Sequence, residues 1–97
     1  HTYLQAHLTN YIIQEVSTMT IWTATMRKIL GPNPWEVEDH APALFSTRDK
    51  AIDHVKRTIG NRAELTDDGM GFYEEWRNPV FCPNCIMIVE ERTVDIE

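Results

Sequence analysis

The chain has 97 residues, 42% apolar and 25% charged, and a formal net charge of −6. That length and composition fit one globular domain and argue against disorder. No run of about 18 apolar residues exists, which excludes a membrane-spanning helix, and the acidic balance disfavours sequence-independent binding of nucleic acid, which needs a basic surface.

Residues 2–16 read as an amphipathic helix. Leu4, Leu8, Ile12 and Val16 recur every four residues, beside a row of Tyr3, His7 and Tyr11. That stripe requires a cover, either the rest of the domain or a second copy of the chain. Residues 19–30 read as a strand, since Thr, Ile and Trp favour extended backbone. Trp22, Ala24 and Met26 alternate onto one face, and Ile21, Thr23 and Thr25 onto the other. Gly31-Pro32-Asn33-Pro34 stops the strand. Residues 31–42 then read as an exposed loop, and Ala43-Leu44-Phe45 as a short second strand.

The clearest helix signal spans residues 47–60. Ser46 or Thr47 can cap it, and Asp49 lies in the first turn, where the dipole favours an anion. Ala51, Ile52, Val55 and Ile59 form one apolar face. Lys56 and Arg57 lie near the C-terminal end, and Gly60-Asn61 is a left-handed stop. Residues 61–71 read as an acidic turn or mobile loop ending in Asp67-Asp68-Gly69-Met70-Gly71. Phe72, Tyr73 and Trp76 return the chain to the core. Residues 80–82 and 85–96 read as a hairpin turning on Pro83-Asn84. Ile86, Ile88, Val94 and Ile96 share one parity, which Glu90 and Arg92 interrupt, so part of this strand is expected to be exposed or bulged.

The expected fold class is therefore α+β. A small antiparallel sheet carries one helix packed across it, with an N-terminal amphipathic helix besides. The whole is one domain, with residues 1–18 as the N-terminal helix and 19–96 as the core.

Charge is unevenly spread. Residues 1–60 hold six acidic and six basic side chains, whereas residues 61–97 hold nine acidic ones against Arg62, Arg77 and Arg92. A solvated acidic face accounts for this, and a basic protein partner is the alternative. An acidic mimic of nucleic acid would need the nine carboxylates on one face. No secretory leader is visible at the start, so a cytoplasmic location is expected. His1 in place of Met suggests a tag remnant or a processed end, and Met19 resembles an alternative start.

Cys82-Pro83-Asn84-Cys85 is the one chemical motif. Two residues between thiolates suit a zinc knuckle, but a structural zinc takes four ligands. The others would be His40 and His54, or the same pair from a second subunit. A thioredoxin-like role needs a helix after the pair, and here a strand-like stretch follows. Two reduced cysteines flanking a turn, at least one facing the core, are the expected state. A disulfide framework is not expected from one pair, so the core must supply the stability, and dimerisation would add margin.

Nucleophilic catalysis needs a base within reach of its nucleophile. Ser17 reads as a link and Ser46 as a cap, and no catalytic or phosphate-binding motif is present. His54 lies on the helix surface. The pairs Asp67-Asp68, Glu74-Glu75 and Glu90-Glu91 read as solvated, because sequence neighbours point apart on a strand. No calcium-loop pattern occurs. No residue is assigned a catalytic, cofactor-binding or metal-binding role, and no cofactor is implied. Trp22 and Trp76 read as core anchors. Trp35, among prolines, is the candidate contact residue.

One further pattern orders these features. A strand at 20–29 leads to Phe45-Ser-Thr-x-x-x-Ala51-x-x-x-Val55, then Tyr73-x-x-Trp76, then Ile88-Val-Glu-Glu-Arg-Thr-Val-Asp. Over residues 19–96 this order resembles short α+β proteins encoded by phages and by mobile gene cassettes such as those of integrons. The resemblance implies no catalytic residues. The expected function is a non-catalytic interaction module forming a homodimer. A zinc-binding protein using Cys82 and Cys85 is the alternative, and a small-ligand binder or enzyme with a pocket between sheet and helix is another.

Overall fold

A computed structural model describes residues 18–95. The chain order is β1 (Thr18–Ile29), β2 (Val37–Asp39), β3 (Ala43–Phe45), α1 (Arg48–Ile59), β4 (Glu64–Asp68), β5 (Tyr73–Arg77) and β6 (Cys85–Asp95). All six strands join one antiparallel sheet in the order β2-β1-β6-β5-β4, and β3 shares the outer edge of β1 with β2.

This corrects the expected fold class. The described chain is mostly sheet, six antiparallel strands with one short helix, rather than a small sheet with one helix across it and an N-terminal amphipathic helix besides. The expected helix at 2–16 lies outside the described residues. Two segments expected to be loops supply strands instead. Residues 37–39 pair with the end of β1, and residues 64–68 pair with β5. Both strands are polar and short, so their backbone ladders place them, not an apolar pattern. The closing hairpin differs too. β6 pairs with β5, with Trp76 opposite Met87, and residues 80–82 form no strand.

Parity along β1 and β6 divides the sheet into two faces. Trp22, Ala24 and Met26 lie on the helix side with Met87 and Val89, and Phe45 and Trp76 complete that layer. Ala51, Ile52, Val55 and Ile59 of α1 close over it. The opposite face, with Thr23, Ile86 and Ile88, is covered by no helix among the described residues yet keeps those three side chains buried.

Local chemistry sets both ends of α1. The Thr47 hydroxyl accepts from the Lys50 amide at 3.3 Å, so Thr47 is the cap, while Ser46 accepts from Lys50 Nζ. Asp49 stands in the first turn and Lys56 and Arg57 in the last, each favourable to the dipole. Gly60 ends the helix at φ 101°, ψ 157°, and donates to Lys56 O. This is not the left-handed helical stop but the mirror-extended region that only glycine enters freely. A Cβ there would also stand 3.0 Å from Asn78 Nδ2. Gly60→Ala is therefore expected to destabilise by about 1–3 kcal/mol. Urea unfolding reads this as a lower midpoint at unchanged slope, and an unchanged midpoint would contradict it.

Candidate functional site

Two loops at one end of the sheet carry four of the nine large apolar side chains exposed among the described residues. β1 ends at Ile29, and the next residues make a tight loop closed by Leu30 N–H donating to Glu36 O at 2.8 Å. Pro32 and Pro34 stiffen that loop, and Trp35 stands on it 75% exposed. Residues 78–84 form the neighbouring connection, tied to the end of β1 by Ile29 N–H donating to Asn84 O at 2.7 Å. This second loop carries Val80, 97% exposed, and Phe81, 66% exposed. Leu30 adds a fourth exposed apolar side chain. Trp35 is thus where its sequence context puts a contact residue. Val80 and Phe81 were hidden by the strand reading of 80–82.

Asn78 fixes the second loop. Its side chain is buried, and Nδ2 donates to Ile59 O at 2.8 Å, capping the end of α1. Its carbonyl accepts from both Phe81 N and Cys82 N. The loop therefore starts from the core and turns outward immediately. Cys82 and Cys85 close its far side as a disulfide. This corrects the expectation of two reduced cysteines. Pro83 and Asn84 occupy the centre of the Cys82–Cys85 turn, where Cys85 N–H reaches Cys82 O. Cys85 is buried at the start of β6, and Cys82 is half-buried.

The described histidines, His40 and His54, lie elsewhere. His54 packs beside Phe45, with ring centroids 5.2 Å apart, and faces Thr58. His40 is exposed after β2, its amide bonded to Met26 O. Among the described residues no three His, Cys, Asp or Glu side chains gather as metal ligands, and as a disulfide Cys82 and Cys85 offer no thiolate to a zinc. No pocket opens between sheet and helix among those residues, and none of their helices is long and apolar enough to cross a membrane.

The acidic pairs split across the sheet. Glu64, Asp67, Glu75 and Glu90 share the open face by register, and Asp68, Glu74, Glu91 and Asp95 the helix-side face. Carboxylates divided in this way do not form the single acidic surface a nucleic-acid mimic requires. Glu74 also corrects the solvated reading, for its side chain is only 4% exposed. Arg48 donates to it through Nε at 2.7 Å and NH2 at 3.0 Å, and the Trp76 indole donates at 2.9 Å. The signal was present: Glu74 has the parity of Trp76, so an inward Trp76 implies an inward Glu74. The carboxylate in turn holds the Arg48 guanidinium in its charged form, raising its pKa.

On the open face Arg27 and Asp39 make a forked pair at 2.7 and 2.9 Å, which holds the Asp39 carboxyl below its usual range. Nearby, the Tyr73 hydroxyl donates to Glu75 at 2.6 Å. Burial, and then the Glu75 carboxylate, push the Tyr73 pKa up to about 12. Its ordinary value is near 10.0. The sign follows directly. The folded chain holds the proton more tightly, so this stabilisation is complete below pH about 10 and is lost as pH rises towards about 12. Subtracting the ultraviolet tyrosinate titration of Tyr73→Phe from that of the parent should leave a step centred near 12. A step at the ordinary phenol value would refute the Glu75 contact.

No family model matches the chain, and comparisons with curated proteins and with solved structures return no significant similarity.

Proposed function

We propose that this protein is a non-catalytic interaction module that works as a homodimer, with Leu30, Trp35, Val80 and Phe81 as its contact surface. The observation behind this is their exposure on two loops at one end of the sheet, one following β1 and the other held to the end of β1 by Ile29 N–H and Asn84 O. Exposed aromatic side chains on a rigid frame supply binding area at low entropic cost, and such residues carry most interface energy. Prolines in one loop and the disulfide in the other hold these side chains before any partner arrives. A cytoplasmic setting and an origin in a phage or an integron-type cassette belong to the same reading, the latter on the residue order over 19–96.

Light scattering after size exclusion, over a wide concentration range, tests it. The parent should run as a dimer, and Trp35→Ala or Phe81→Ala should weaken association by about thirtyfold, the effect of losing an interface anchor. A clean monomer throughout would sink the reading.

A basic protein partner is the second reading, favoured by β4. This strand ends the sheet, all five of its residues are exposed, and three of them are acidic. Binding there would fall steeply with salt, whereas association through the apolar end would not.

A further inference from the structure

We propose that Cys82 and Cys85 are a thiol–disulfide exchange site that sets how firmly Val80 and Phe81 are presented. The presentation half rests on the interaction reading above; the exchange half does not. Three observations converge on the pair. First, the two sulfurs differ in access: Cys82 is half-buried in the turn, and Cys85 is 8% exposed at the start of β6. An incoming thiolate therefore meets Cys82 first. Second, Lys28 pairs directly with Cys85 across the β1–β6 ladder, on the same face of the sheet. Lys28 is exposed and Cys85 buried, so the cation acts through its field on that side of the sheet, which favours Cys85 as the departing thiolate. Third, both ends of the loop are fixed independently of the bond. Asn78 is held to Ile59 O, and Cys85 is held by the ladder and by the neighbouring Asn84–Ile29 bond.

The reaction needs a dithiol reductant. One of its thiolates attacks Cys82 Sγ, the Cys82–Cys85 bond breaks, and its electron pair leaves on Cys85 Sγ. The reductant's second thiolate then attacks its own sulfur in the mixed disulfide and releases Cys82 as a thiolate. The reductant departs as a disulfide, having given two electrons, and two protons complete the Cys82 and Cys85 thiols. Oxidation by a disulfide runs the steps in reverse. In the reduced chain the 79–84 segment keeps only turn hydrogen bonds between its two anchors, so Val80 and Phe81 must be re-ordered on binding. Ordering two side chains costs association about tenfold.

The test uses the whole chain equilibrated with reduced or oxidised dithiothreitol, quenched with an alkylating agent and weighed by mass spectrometry. Circular dichroism on each sample reports the fold, and sedimentation equilibrium the self-association. The expected result is zero labels oxidised and two reduced with the sheet retained, a partly reduced sample carrying its label at Cys85 and the reductant at Cys82, and dimer association about tenfold weaker when reduced. Cys82→Ser should hold the reduced value in both buffers, and chemical reduction answers the same question if that variant fails to fold. A bond that resists reduction until the chain is denatured overturns the exchange site. Equal association in both states overturns the switch. A monomer in both states overturns the homodimer reading and the switch with it, while the labelling alone still judges the exchange chemistry.

Discussion

Replacing Arg48 with alanine should cost about 3–5 kcal/mol of folding stability, the range for removing one partner of a buried ion pair. The reason lies in what stays behind. Glu74 remains beneath α1 with 4% of its side chain exposed, and of its three donors only the Trp76 indole survives. A carboxylate so placed has lost the water it gave up on folding and most of what replaced it. The Arg48 side chain is itself 40% exposed, so water can follow its removal and the loss belongs at the lower end. Glu74→Gln separates charge from shape. A glutamine keeps the volume and still accepts from Trp76, and it releases Arg48 toward solvent, so its cost is smaller, about 1–2 kcal/mol. Combining the two changes should cost less than their sum, because the neutral amide removes the stranded charge. Urea unfolding followed by tryptophan fluorescence measures all three. Additive losses would show that Arg48 and Glu74 act independently, contrary to their forked geometry. A small domain has only about 5–15 kcal/mol in total, so a loss of about 3 kcal/mol is a large share of it and should lower the urea midpoint clearly.

The pair also shows where sequence reasoning stops. Elements decided by neighbouring residues are legible. Thr47, the apolar face of Ala51, Ile52, Val55 and Ile59, and the basic last turn mark α1 within a residue or so. The alternation of Trp22, Ala24 and Met26 marks the buried side of β1. Elements decided by distant partners are not legible. Glu64-Leu-Thr-Asp-Asp carries residues poor in strand preference, and it is extended because β5 offers a ladder to it. Val37-Glu-Asp is extended for the same reason against β1. An expectation of loops at both places follows correctly from composition and fails on pairing. At the candidate surface, Trp35 was legible from its setting among prolines. Val80 and Phe81 were not, because two apolar residues before a cysteine look like a strand until Asn78 is seen to turn the chain outward.

Met87→Ala is expected to cost about 2–5 kcal/mol, the range for truncating a large buried side chain. Met87 is 1% exposed on β6, the central strand, opposite Met26 on one side and Trp76 on the other. It stands on the face that α1 covers, within the same core cluster as Val55 and Ile59. Truncation there removes the layer's middle. Neither neighbouring strand can move in without breaking its ladder with β6, so the cavity stays open and the cost lies well above the transfer term alone. Met87→Leu nearly conserves volume and should cost less than about 1.5 kcal/mol. Val80→Ala, at a site 97% exposed, should change stability by no more than about 0.5 kcal/mol. These variants separate the two uses of apolar side chains in this chain. At a temperature where it is still folded, Met87→Ala should self-associate like the parent, since the apolar end is built on loops anchored by Asn78 and the disulfide. Val80→Ala should keep its stability and weaken association, by less than loss of the aromatic anchors Trp35 or Phe81 does. Urea midpoints and sedimentation equilibrium on the same samples report both quantities. A loss below about 1 kcal/mol for Met87→Ala would mean that the core is not centred on β6.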